Sequence, residues 1–168
     1  MKQDQKQDQK QQEFMSLVMK HQGIIHKICF IYGHKPVDRD DLYQEILLQL
    51  WRSWPTFRQN AAFSTWMYRV ALNTAINQTR KPSLFLREDP PAEQAENPGI
   101  LADLSEEIRL LYCAIARLGK VDRAIILLWL EEKSYEEIAG ITGITAKNVS
   151  VKLVRIKARL AEQISKMY

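Results

Sequence analysis

Only two cysteines occur in the 168 residues, and they share no metal-ligand spacing. Cys29 and Cys113 sit in apolar helical patterns, KICFIY and LYCAIA, and read as buried thiols of a reducing compartment. That argues against a disulfide framework or a zinc site. Histidine is scarce as well. His21, His26 and His34 fall in the first helical segments, without a carboxylate pair, a glycine-rich phosphate loop or a nucleophile motif beside them. An enzyme is therefore not expected: no catalytic residue, no metal site, no cofactor and no small-molecule substrate. No apolar run approaches membrane-spanning length, and the opening MKQDQKQDQKQQ has no apolar centre for a signal peptide, so a cytoplasmic location is expected. No segment keeps a period-2 alternation, which leaves helices as the building material.

What the chain does contain divides it into four parts. Residues 1–12 are a polar Lys/Gln/Asp repeat, expected to fray or stay disordered. Residues 13–82 read as helices only: FMSLVMKHQGIIHKICFIYG, a break at Gly33 and Pro36, then DRDDLYQEILLQLWRSW opening at Asp38, the loop TFRQNAA, and a last helix. Residues 83–104 read as a linker. The stretch 83–107 holds Pro90, Pro91, Pro98 and Gly99 and seven carboxylates against one arginine, a net charge of −6 in a chain that is +4 overall. Residues 105–168 return to helical patterns. The expected fold is all-α, two small helical domains on a flexible acidic tether that lets their separation vary.

The helix FSTWMYRVALNTAINQTRK, from Phe63 to Lys81, contains no acidic residue. Wound at 100° per residue, Trp66, Arg69, Asn73, Asn77 and Arg80 fall within roughly an 80° arc, and Met67, Tyr68, Ala71, Leu72 and Ala75 take the opposite side. Cations attract phosphate, rings stack on bases, and asparagine can read a base edge. The stripe suits nucleic acid; on its own it fits a solvated face with a half-buried tryptophan equally well.

The tail SYEEIAGITGITAKNVSVKLVRIKARL carries a more specific pattern. Ser134 with Glu137 forms a capping box that opens a short helix. Gly140 and Gly143 bracket a turn, and Thr145 is suited to cap a second helix. There Val149, Leu153, Ile156 and Leu160 make an inward stripe, leaving Lys147, Asn148, Ser150, Val151, Val154 and Arg155 outside. Six basic residues and one acid lie between Ala146 and Lys166, a net of +5. This is the layout of a helix-turn-helix: polar groups near the start of the second helix for base edges, cations beyond for phosphate. The outward Val151 and Val154 suit a thymine methyl or a protein partner.

Taken together, D-x-x-D-L-x-Q-E, F-S-T-W-x-Y-R-x-A-x-N and S-Y-E-E-I-A, in that order over residues 13–163, resemble the extracytoplasmic-function (ECF) sigma factors of the sigma-70 family, subunits of bacterial RNA polymerase. The resemblance implies a region 2 domain that binds core polymerase and opens the −10 promoter element. It implies a region 4 domain that binds the −35 element. By position it assigns Asp38, Asp41, Leu42, Gln44, Glu45 and Trp51 to polymerase binding, and the helical face adds Leu48 and Arg52. Asp41, Glu45, Leu48 and Arg52 share one helical face, an acidic and apolar mixture suited to a basic partner. For −10 DNA it assigns Ser53, Phe57, Trp66, Arg69, Val70, Asn73, Asn77, Arg80 and Lys81, with Ser53, Phe57, Val70 and Asn73 around a flipped base. For −35 DNA it assigns Lys147, Asn148, Ser150, Val151, Lys152, Val154, Arg155 and Arg159. An anti-sigma factor, commonly membrane-anchored in such systems, is implied as a further partner.

Three departures stand out against the family pattern. Asn77 replaces a common Asp, Leu118-Gly119 replaces Leu-Pro, and Ser150 and Val154 occupy positions often basic or His. Two other readings fit parts of the chain: a stand-alone helix-turn-helix regulator, and a sigma-mimicking module that binds a protein. The first leaves the aromatic and asparagine stripe without a purpose, and the second does not need it.

Overall fold

The computed structural model describes residues 1–58, 61–78 and 104–167. Among the described residues every regular element is helical: α1 (Lys2–Lys20), α2 (Gln22–Tyr32), α3 (Pro36–Ser53) with a 3-10 turn at Trp54–Thr56, α4 (Phe63–Gln78), α5 (Glu106–Ala116), α6 (Lys120–Leu130), α7 (Tyr135–Thr142) and α8 (Ala146–Ser165). Arg80, Lys81 and the linker up to residue 103 lie outside the described residues.

The polar repeat is helical rather than frayed. Gln and Lys are good helix formers, and the segment continues into a turn anchored by Phe14 and Val18, the two buried residues of α1. A break at His21, beside Gly23, separates α1 from α2. Helix α3 starts at Pro36, two residues before the expected Asp38. Proline is tolerated at a first helical position, and the Asp38 carboxylate accepts a hydrogen bond from the Lys35 N–H at 3.3 Å. Gly33 is required where α2 turns into α3: a Cβ there would stand 2.6 Å from Arg39 Cγ and 2.8 Å from the Cys29 carbonyl oxygen.

Helices α2, α3 and α4 build the first domain by burying one stripe each. Ile25, Ile28 and Ile31 meet Leu42, Ile46 and Leu50, and both meet Met67, Ala71, Leu72 and Ala75. The two alanines let α4 approach closely. In the second domain α6 runs through the middle, buried continuously from Ala124 to Leu128, and α5, α7 and α8 pack around it.

The two domains are docked, and their buried residues form one continuous core. Helix α2 lies against α5, and α4 against α6 and α7. The Tyr32 hydroxyl donates to the Lys120 carbonyl at 2.6 Å, and the Arg123 guanidinium donates to the Ile31 carbonyl at 3.1 Å. Lys27 pairs with Glu131 at 2.6 Å, and the Lys133 ammonium donates to the Thr65 hydroxyl at 3.0 Å. A tether of varying length was expected from the linker composition. The described arrangement is closed: packed helices and the polar contacts of Tyr32, Arg123, Lys27 and Lys133 join the two domains.

Candidate nucleic-acid and polymerase interfaces

A groove of about 460 Å³ opens between α3 and α4, lined by Glu45, Gln49, Ser53, Val70, Asn73, Thr74, Asn77 and Gln78. Four of the residues assigned to −10 DNA, Ser53, Val70, Asn73 and Asn77, converge here from two helices. The i, i+4 spacing of Asn73 and Asn77 puts both amides on the same wall, and Glu45, Gln49 and Ser53 repeat that spacing on the facing helix. The lining offers hydroxyl, amide and carboxylate groups around one apolar side chain. That combination can accept a flat base and pair with donors and acceptors on its edge. The Gln49 amide donates to Glu45 at 2.9 Å, which fixes the carboxylate toward the groove, and the Thr74 hydroxyl donates to the Val70 carbonyl at 2.7 Å. The Gln78 side-chain oxygen is buried with no hydrogen-bond partner among the described residues. Gln49, Thr74 and Gln78 were not anticipated, although the Glu45–Gln49–Ser53 stripe was a readable signal for a polar seam.

Phe57 and Trp66 lie beside this groove in an aromatic cluster and do not line it. Phe57 stacks on Trp54 (5.4 Å between centroids, 13° between planes) and meets Phe63 and Trp66 at 5.7 and 5.0 Å. Trp66 is half-buried against the same rings. The cluster fixes the loop after α3 onto the start of α4, so these two residues shape the wall and stand behind it. Arg69 is exposed, and its guanidinium reaches to 3.7 Å from where a Cβ of Gly140 would stand.

On α3, Asp38, Asp41, Gln44 and Arg52 are exposed, with Leu48 and Trp51 41% and 44% accessible, a mixed polar and apolar surface. Trp51 is held edge-on to Phe14 at 5.1 Å. Leu42, at 3% accessibility, belongs to the core, where it packs α3 against α2 and α4. Glu45 is half-buried at the groove instead of fully on the outer face.

The helix-turn-helix is built as its residues dictate. The Ser134 hydroxyl accepts from the Glu137 N–H at 3.1 Å, and the Glu137 carboxylate accepts from the Ser134 N–H at 3.0 Å. Gly143 ends α7 with φ of 78°, a left-handed conformation that favours glycine, and Thr145 caps α8 through the Asn148 N–H at 3.2 Å. Gly140 is a correction: it lies inside α7 and not in the turn, with the Arg69 guanidinium at ordinary contact distance. On α8, Lys147, Asn148, Arg155 and Arg159 are exposed and Ser150 is half-buried. Lys152 is tied to Asp122 at 3.6 Å, and Lys157 lies over the Trp129 ring at 3.9 Å.

The titratable groups elsewhere are structural. Burial, with Asp40 adding to it, pushes the Cys29 thiol up to about 12, and burial lowers the pKa of His21, His26 and His34. Both cysteines are free, and no group of three or more potential metal ligands occurs among the described residues. No described helix is long and apolar enough to cross a membrane.

Two families match this chain: Sigma-70 region 2 over residues 17–83 and Sigma-70 region 4 over residues 108–160. The ECF RNA polymerase sigma-E factor of Escherichia coli K12 is 33% identical over 95% of this chain and 90% of its own length. That of Haemophilus influenzae Rd is also 33% identical, over 90% and 87%. Among solved structures, the sigma factor RpoE, in complex with the anti-sigma factor NepR from Bartonella quintana, has a TM-score of 0.74 at 20% identity, covering 91% of this chain and 97% of that one. CnrH, in complex with the cytosolic domain of CnrY, has a TM-score of 0.63 at 20% identity, covering 93% and 90%.

Proposed function

Because the chain belongs to the extracytoplasmic-function sigma factors of the sigma-70 family, we propose a division of labour among its surfaces. The protein is a promoter-specificity subunit that directs core RNA polymerase to start transcription. It works in the cytoplasm and supplies recognition and strand opening, while bond formation stays with the polymerase. The exposed face of α3, from Asp38 and Asp41 through Gln44, Leu48, Trp51 and Arg52, docks on core polymerase.

The groove between α3 and α4 receives a base of the −10 element. Extruding a base costs a few kcal/mol, and the amides of Asn73 and Asn77 and the Ser53 hydroxyl offset that cost by pairing with its edge. Arg69 holds the strand's backbone, with Arg80 and Lys81 beyond the described end of α4. Helix α8 enters the −35 major groove with Lys147 and Asn148 leading and Arg155 and Arg159 on phosphate. The observation that carries this reading is the convergence of Ser53, Val70, Asn73 and Asn77 on one cavity.

The closed arrangement has to open for this work. The −10 and −35 elements are separate sites on the duplex, and docking sets α4 against α6 and α7 of the domain that carries α8. Lys133 on Thr65 and α7 beside Arg69 also crowd the start of α4. An anti-sigma factor that prefers the closed form would hold the protein inactive. Transcription from defined promoters by core polymerase plus the purified chain tests the function. Transcripts that start at the same sites without the chain would overturn it.

A further inference from the structure

Beyond Lys147 the outermost ridge of α8 is apolar, which the proposed −35 contact does not by itself require. Lys147, Val151, Val154 and Ala158 fall within about 60° of arc, nearly opposite the buried Val149, Leu153, Ile156 and Leu160. Val151 is 47% and Val154 70% accessible. Valine is a weaker helix former than the Lys, Arg and Gln found elsewhere in α8, and neither side chain supports packing, so the fold gives no reason for either. Their surroundings do identify an occupant. Arg155, Arg159 and Asn148 flank the ridge on one side and Ser150 and Lys157 on the other, and the +5 charge between Ala146 and Lys166 calls for a polyanion. An apolar ridge between basic flanks is the shape needed to press methyl groups on the floor of a major groove while the flanks hold phosphate.

We propose that Val151 and Val154 are specificity-determining residues that read the C5-methyl groups of thymines in the −35 element. The proposal rests on α8 being the −35 helix. In the major groove thymine alone presents a methyl, so an apolar contact there separates T from C and from the purine edges, which carry only polar groups. Residues three apart on a helix hold their Cβ atoms about 5–6 Å from each other, against a rise of about 3.4 Å per base pair. The two valines therefore span one to two steps, and the preferred sequence carries two thymines at adjacent or next-adjacent pairs, on either strand.

The test uses holoenzyme assembled from core polymerase and the full chain. Promoters are enriched from a pool randomised across the upstream element, and each enriched thymine is then replaced by deoxyuridine, which removes the methyl alone. Wild-type holoenzyme should bind about fourfold more weakly for each contacted methyl lost, the ratio that corresponds to about 0.8 kcal/mol for a methyl-sized group. Val151→Ala/Val154→Ala holoenzyme should bind the two duplexes alike. The proposal is overturned if thymine is not enriched, if deoxyuridine serves as well as thymine, or if the double variant keeps the discrimination. Arg155→Ala and Arg159→Ala separate the two ideas: each should weaken all duplexes alike and reduce the salt slope by about one. If these arginine variants behave as expected while deoxyuridine has no effect, only the methyl reading fails. If they leave DNA binding unchanged, the assignment of α8 to the −35 element fails. Loss of binding to a protein regulator by the double variant, with unchanged thymine discrimination, would make the ridge a protein contact and overturn the proposal.

Discussion

Removing one hydroxyl far from every DNA-binding residue should make this protein bind DNA better. Tyr32 is 1% accessible, and its hydroxyl reaches across the domain seam to the Lys120 carbonyl at 2.6 Å. In the open form that hydroxyl would be hydrated, so Tyr32→Phe acts on the closed form and spares the first domain. A neutral hydrogen bond contributes about 1 kcal/mol net, which makes the open fraction about fivefold larger. Apparent affinity for a ligand that selects the open form scales with that fraction, so it should rise about fivefold as well. The Lys27–Glu131 pair is equally short, at 2.6 Å, but weaker in effect. Its side chains are each 30% accessible, and such pairs contribute about 0–1 kcal/mol, so Lys27→Ala should do less than Tyr32→Phe. The assay is binding of a fluorescent single-stranded −10 oligonucleotide by the chain with core polymerase, alongside distances between labels on α2 and α8. Unchanged or weaker binding by Tyr32→Phe, with unaltered helicity, would refute the idea that docking masks the protein.

Three further outcomes follow from the site. Asn73→Ala should lower transcription by the equivalent of about 1–3 kcal/mol at one −10 position and flatten discrimination there; an equal loss at every −10 variant would make Asn73 structural. Asp41→Lys with Trp51→Ala should weaken core polymerase binding by about 30-fold or more, because a half-exposed tryptophan has the character of an interface anchor and Asp41 places charge on the same helix, and unchanged co-elution with core would remove α3 from the interface. Cys29 sets a pH dependence: its folded-state pKa, about 12, stands above the ordinary 9.0, so the stability it confers is complete below pH 9 and declines as pH rises toward 12. Thermal melts should show wild type losing about 1.4 kcal/mol per pH unit above 9 relative to Cys29→Ala, and parallel curves would contradict the burial of a neutral thiol.

The features legible in the sequence were those encoded within a few residues. Ser134 and Glu137 specify their own cap, Gly143 its own left-handed turn, and Asn73 with Asn77 their own helix face, and all stand where the chain said. What escaped was tertiary. Gly140 reads as a helix breaker in isolation, yet it lies in α7, where Arg69, 71 positions earlier in the chain, comes within ordinary contact distance of it. Leu42 carries a motif position and a core position at once, and periodicity alone places it inside. Phe57 was assigned to a pocket that it only backs, because nothing in WPTF announces a stack of Trp54 on Phe57. The seam was invisible for the same reason: Tyr32 and Lys120 lie 88 positions apart, on either side of a linker whose composition suggests independence.

These long-range contacts bring three different surfaces together on α4. One side of it, Met67 to Ala75, is locked into the first domain's core. A second, Val70, Asn73 and Asn77, lines the groove proposed for a flipped base, and a third, Thr65 and Arg69, faces α7 and Lys133 of the other domain. A rigid helix cannot give one face to DNA and keep another against the second domain if the strand's backbone must pass Arg69. DNA binding and domain docking then compete, and linkage makes the competition reciprocal: whatever factor docking takes from DNA affinity, bound DNA takes from docking. A sigma factor built this way needs no catalytic group or metal to be switched. Any partner that favours one domain arrangement changes access to the promoter, and the seam around Tyr32 and Arg123 sets how strongly it must bind to do so.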